Sequence, residues 1–320
     1  MSAQAPPIQV PQPKRRFGRS GEGSLGERLQ GIAFALPAIV VLGLFVVYPA
    51  YYTVRLAFYN SDFAFRFVDW VGLQNFRDLF DDPNFFDVSH FPPSGAFFNN
   101  VKWVVIYIGL CLLLGLAIAV VTIRVRYEPI IKSVIFVPMA ISATAVAVIW
   151  LLVYSPDPQI GTVNAVLQAV GGNPVAWLGK PSTVNYAIIL AYVWASTGFA
   201  MVVLSAALKG IPTEIIEAAR VDGAGEWNIF RRIMLPMLSL PISVVSVWLF
   251  INVIKVFDII YVMTAGGPGS SSRVIAYSMF TETFSGRPGR GAAVAVIMLL
   301  LMIPVMAVNV KRFRSERVMG

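Results

Sequence analysis

Long apolar runs separated by shorter polar stretches set the pattern of this chain. Six runs, at residues 31–54, 101–123, 133–154, 184–208, 242–264 and 291–310, are each long enough to cross a hydrocarbon core of about 30 Å as a helix. An acidic, aromatic-rich segment from Arg55 to Asn100 separates the first two, and a polar loop at 209–241 carries both charge signs with helical spacing. The first run is too long for the core of a signal peptide. The pattern predicts an all-α membrane protein with six transmembrane helices over 31–310. A Pro-rich basic tail at 1–30, read as disordered, precedes them, and a basic tail at 311–320 follows.

Composition agrees: 57% of residues are hydrophobic and 13% charged, outside the range of soluble globular domains. The net charge of +8 changes the picture only through its distribution. Sixteen Lys and Arg residues fall in the tails and in the 2–3 and 4–5 loops, against seven in the other loops. The excess puts both termini and loop 209–241 in the cytoplasm, and the net charge then needs no nucleic-acid partner. The lone Cys111 and lone His90 exclude an internal disulfide and any His/Cys metal cluster. No nucleophile or acid/base cluster converges on a span, so no catalytic residue is expected. The chain also lacks the G-x-x-x-x-G-K-[ST] phosphate loop, and the lysine-free GGPGSSS at 266–272 reads as a turn.

Within the 4–5 loop, helix formers at Glu217, Ala218 and Ala219 lead to a stop at Gly223, and a second amphipathic helix begins near Glu226. Ile229, Phe230, Ile233 and Met234 share one face of it, Arg231 and Arg232 another, and Pro236 and Pro241 are expected to end it. Asp222 sits at a helix C-terminus, where a negative charge opposes the macrodipole by about 0.3–1 kcal/mol. The stretch EAARVDGAGEWNIFRRIMLPMLSLP resembles the EAA motif of binding-protein-dependent ABC importer permeases. Glu217, Ala218, Ala219, Asp222, Gly223, Ala224, Phe230, Ile233, Leu235, Pro236 and Pro241 all match it.

The resemblance implies a type I ABC importer permease fold in a prokaryotic cytoplasmic membrane. It implies that this loop is a coupling helix seated on a cytoplasmic ATPase subunit, with Glu217 offering a charge or capping acceptor, small Ala218 and Ala219 allowing close approach, and Asp222, Gly223 and Ala224 making the turn. Its implied partners are a second, homologous permease, two ATPase subunits carrying the ATP and Mg, and an extracytoplasmic substrate-binding protein. No cofactor is expected on this chain itself. The segments VFDIIYVMTAGGP, FVPMAISATAVAVIW and YSPDPQIGTVN resemble the carbohydrate-uptake branch, the last two its α-glucoside members.

Polar groups inside the spans supply candidate chemistry. Trp248, Asn252 and Lys255 form one stripe in the fifth span, with Asp258 three residues beyond Lys255 and able to pair with it; Tyr192, Ser196 and Phe199 repeat the spacing in the fourth. Charges facing lipid would each cost about 2.5–3.5 kcal/mol, so Lys255 and Asp258 should face protein or water. Two stripes of aromatics and hydrogen-bonding groups suit a neutral polyol or sugar, and equally suit interhelical packing. Ser142 and Thr144 are further candidates. Similarity to maltose-type permeases implies that the helices flanking the EAA loop line a substrate pathway. An ion-coupled secondary transporter relaying through Lys255 and Asp258 is the alternative from another class.

Overall fold

A computed structural model describes the backbone of residues 25–89, 91–123 and 125–319, with side chains between residues 32 and 311. Most of the 1–30 tail, His90 and Arg124 lie outside the described residues. The chain divides into two units, residues 1–52 and 53–320. In the first, helix α1 spans Leu25–Leu42, a π turn occupies Gly43–Val47, and helix α2, Tyr48–Leu56, continues into the second. The helix therefore begins inside the tail read as disordered. Leu25, Glu27, Arg28, Leu29 and Gln30 are straight-chain helix formers, and they extend the apolar run backwards.

The second unit corrects the all-α expectation in one place. Strands β1 (Tyr59–Ser61) and β2 (Phe67–Trp70) pair antiparallel in the 55–100 segment. Tyr59, Phe67 and Trp70 are strand formers whose rings meet, Tyr59 lying 4.9 Å from Phe67 and 5.0 Å from Trp70 between centroids. Asp62 closes the connection, its Oδ1 accepting from the backbone N–H groups of Ala64 and Arg66. Helix α3 (Gln74–Phe80) follows, fixed to the strand by Asn75, whose Nδ2 donates to the carbonyls of Ala57 and Tyr59 at 3.0 Å each.

Helices α4 (Ala96–Thr122) and α8 (Val184–Lys209) form the central pair. Gly115 makes their contact possible, because a Cβ there would stand 2.7 Å from Ala200 Cβ and 2.9 Å from the Met201 nitrogen. Trp103 and Tyr107 of α4 and Ile188 and Ile189 of α8 are fully buried in the core.

Between these helices the third apolar run is not one helix. It divides into α5 (Glu128–Phe136), a 3-10 turn at Val137–Ala140, and α6 (Ala143–Val153), with a bend of 102°. Pro138 tightens the turn and Ser142 starts a new helix: its backbone is extended and its Oγ accepts from the Ala145 N–H. Helix α7 (Thr162–Ala169) lies in the loop that follows.

Past α8 come α9 (Thr213–Val221), α10 (Glu226–Ile229), a π turn at Phe230–Met234, α11 (Leu235–Met237) and α12 (Ser239–Ile254). The second amphipathic helix runs on through the π turn, carries Pro236 one residue before its end at Met237, and bends by 65° before Ser239, while Pro241 does not end a helix but falls in the first turn of α12, where the missing N–H costs nothing. The fifth run is also interrupted: α12 stops at Ile254 and α13 (Asp258–Thr264) restarts after Lys255–Phe257. Helix α14 (Ile275–Phe284) packs on the long α15 (Pro288–Met319).

Among the described residues, four helical stretches, at 32–56, 96–122, 184–209 and 288–311, are long and apolar enough to cross a membrane. Counting each bent pair as one span raises the number to as many as six.

Candidate functional site

The EAA stretch forms a helical hairpin whose turn is dictated by its glycine. Gly223 adopts φ +81°, the Gly223 N–H donates to the Arg220 carbonyl at 3.0 Å, and the Ala224 N–H reaches back to the Ala219 carbonyl at 2.9 Å. These two bonds are a Schellman closure, which satisfies carbonyls that the end of α9 would leave unpaired. Asp222 stands at the helix end, as the spacing predicts. Glu217 is in the middle of α9, so it caps nothing; it and Ala218 are exposed, while Ala219 and Ala224 are half-buried.

Two features of this hairpin were not read from the sequence. Arg220 grips Glu226 through two bonds, Nε to Oε1 at 2.7 Å and Nη2 to Oε2 at 3.2 Å, which hold α10 against α9 and raise the Arg220 pKa. The hairpin also exposes large apolar side chains, Val221 at 88% and Trp227 at 70%, a surface suited to a partner rather than to water.

Inside the helical bundle, four of the seven pathway residues line one cavity of about 190 Å³: Tyr192 and Ser196 from α8, Trp248 and Asn252 from α12. Phe199 does not line the cavity but packs on Trp248, the ring centroids 4.1 Å apart and the planes tilted by 30°. Asn252 donates from Nδ2 to the Trp248 carbonyl at 2.8 Å, leaving its Oδ1 as an acceptor. Apart from Ala195 of α8, the remaining wall comes from the bend of the third run, through Pro138, Met139, Ile141, Ala143 and Val146. Ser142 and Thr144 flank that wall without lining it. Tyr107 supports Tyr192 from α4 at 5.0 Å between ring centroids.

Lys255 and Asp258 do not join this cavity and do not pair with each other. The interruption after Ile254 removes the helical i,i+3 geometry: Lys255 is the residue just past the end of α12, Asp258 opens α13, and both are exposed. Asp258 instead sits at a helix start, where its charge is favourable. The polar Pro-Gly stretch at 266–272 is a turn, as expected, and its Ser272 hydroxyl donates to the Gly267 carbonyl at 2.7 Å.

The family model described as "binding-protein-dependent transport system inner membrane component" matches residues 111–311, more than half of the chain. The chain belongs to this family. An EAA motif and a coupling helix are typical of such permeases, which are transport subunits. With no ion pair in the span and this family established, the ion-coupled alternative has no observation behind it.

Among similar proteins, the osmoprotective compounds uptake permease protein GgtC of Synechocystis is 44% identical over 288 residues, covering 88% of this chain and 98% of its own. The alpha-glucoside transport system permease protein AglF of Rhizobium meliloti is 40% identical over 311 residues, covering 95% and 88%. Among solved structures, a bacterial ABC transporter involved in the import of the acidic polysaccharide alginate aligns with a TM-score of 0.70 at 24% identity, over 90% of this chain and 97% of that one. That likeness is one of fold, and it fits the helical architecture described above.

Proposed function

We propose that this permease is the membrane-spanning subunit of an ATP-driven importer for a neutral sugar or polyol, an α-glucoside being the first candidate. The observation that carries the reading is the cavity wall. Tyr192, Ser196, Trp248 and Asn252 offer aromatic faces and hydrogen-bonding groups with no charged side chain among them. The α-glucoside and osmoprotectant permeases, at 40% and 44% identity, support that substrate class.

The rest of the reading follows from the family and from the charge pattern. Six spans cross a prokaryotic cytoplasmic membrane with both termini and the α9–α10 hairpin in the cytoplasm, since that side collects most of the basic residues. A second, homologous permease completes the pathway. Two ATPase subunits, carrying ATP and Mg, dock on the hairpin, where Glu217 supplies charge and Val221 and Trp227 supply apolar surface. An extracytoplasmic binding protein delivers substrate. ATP-driven closure of the ATPase pair moves the hairpins and alternates access to the cavity.

The test is ATP-dependent uptake of an α-glucoside into proteoliposomes holding the full assembly and a loaded binding protein. Trp248→Ala removes the ring that walls the cavity and packs on Phe199, and its expected effect is a rise of about tenfold in the half-saturating substrate concentration, with basal ATP hydrolysis kept. Uptake by Trp248→Ala indistinguishable from wild type would remove this cavity from the substrate pathway.

A further inference from the structure

A charged cluster outside the cavity joins the coupling loop to the bent third run. Glu128, the first residue of α5, accepts from Lys132 one turn along its own helix and from Lys209, the last residue of α8, at 2.8 Å. Lys132 also donates to the Ser205 hydroxyl of α8. The Glu128 and Lys132 side chains are only 14% and 15% exposed, whereas Lys209 is 54% exposed, so solvent screens the Glu128–Lys209 bond more than the Glu128–Lys132 bond.

The other end of α5 meets α8 at Gly198, where a Cβ would lie 2.8 Å from the Ile135 carbonyl oxygen and 2.9 Å from Phe136 Cα. Helix α5 therefore lies antiparallel along the last three turns of α8, charged at one end and in backbone contact at the other. Directly beyond Phe136, the 3-10 turn places Pro138 and Met139 in the cavity wall. Only Gly210, Ile211 and Pro212 separate Lys209 from α9. A partly buried ion pair adds little net stability against its desolvation cost, but it fixes the angle between the groups that make it.

Resting on the importer reading, we infer that Glu128 is a positioning residue that ties α5, and through it the bent wall of the cavity, to Lys209 at the head of the coupling loop. A displacement of α9 reaches Lys209 through three residues. Glu128 passes it to α5, and the stiff turn at Pro138 carries it to the wall.

The experiment is a neutralisation cycle, Glu128→Gln, Lys209→Gln and the two together, with Lys132 kept, read in two ways. In the full-length chain alone in nanodiscs, with Cys111→Ala, a fluorophore on Thr144→Cys reports on the bend. In the proteoliposome assembly, uptake per ATP hydrolysed reports on coupling. Each single neutralisation is expected to shift the emission and to lower uptake per ATP about fivefold or more with subunit assembly intact, and the double to do no more than either single, because both remove the same tie. Single neutralisations that leave the emission where it was, or a double whose effects are the sum of the two singles, overturn the inference. The emission cycle needs no transport, so a wild-type assembly without ATP-driven uptake would count against the importer reading and leave the cycle to decide the role of Glu128.

Discussion

At the scale of single residues, the site divides into positions fixed by local chemistry and positions fixed by what surrounds them. Gly223 is of the first kind. Nothing lies within 4 Å of a Cβ built there, so space does not require a glycine; the φ of +81° does. Gly223→Val should cost about 1–2 kcal/mol of backbone strain at the hairpin, while Gly223→Asn, which tolerates the left-handed region, should cost little. Co-purification of the ATPase subunit with each variant measures the consequence. Loss with Val but not Asn is expected, and equal retention by both would mean that the turn does not position the docking surface. This residue was legible because a Schellman turn is written within six consecutive positions. Lys255 and Asp258 were misread for the opposite reason: their pairing presumed a helix that runs through 255–257, and whether it does depends on packing that no three-residue spacing encodes.

Elements show the same division. The central pair α4 and α8 could be located by hydropathy and length alone, but the closeness of their approach depends on Gly115 meeting Ala200, 85 residues apart in sequence. Gly115→Val should separate the two helices and destabilise the bundle by about 1–3 kcal/mol, through overpacking against backbone that cannot give way. Thermal unfolding followed by aggregation of the detergent-solubilised chain would register it; a melting temperature equal to wild type would show that the pair has slack. The bend between α5 and α6 was the costliest omission, because it supplies half of the cavity wall. Its signals, Pro138 and the capping Ser142, were present, yet they sit in an unbroken apolar run whose length alone reads as a single crossing helix. In a membrane span, hydropathy reports burial in lipid and says nothing about direction.

On the scale of the whole molecule, three asparagines join parts of the chain that hydropathy treats as separate. Asn99 of α4 donates to the carbonyls of Ser271 and Arg273 at 2.9 and 2.8 Å, and Asn185 of α8 donates to Ser271 as well, at 2.5 Å. Asn100 does more: its Nδ2 donates to the Val253 carbonyl at the end of α12, and its Oδ1 accepts the Ile275 N–H at the start of α14, at 3.1 and 2.7 Å. The segment between α13 and α14 is thus fastened to the central pair by amide–carbonyl bonds, while α4 and α8 themselves, joined at this end by the Trp103–Asn185 and Asn185–Asn99 side-chain bonds, are held along the rest of their length mainly by apolar packing. Amide–carbonyl bonds can be exchanged for bonds to water, and buried apolar contacts cannot, so this seam should open before the core does. Asn100→Leu leaves the Ile275 N–H buried without its partner, a cost of about 1–3 kcal/mol, while the Val253 carbonyl keeps the Val256 N–H. Amide hydrogen exchange at Ile275 should accelerate about tenfold or more, with protection along α4 and α8 unchanged. Were protection to fall equally along α4 and α8, Asn100 would be holding the bundle together as a whole. A local loss confined to residues 266–275 would identify the seam as a separable unit, free to open and close while the central pair stays packed.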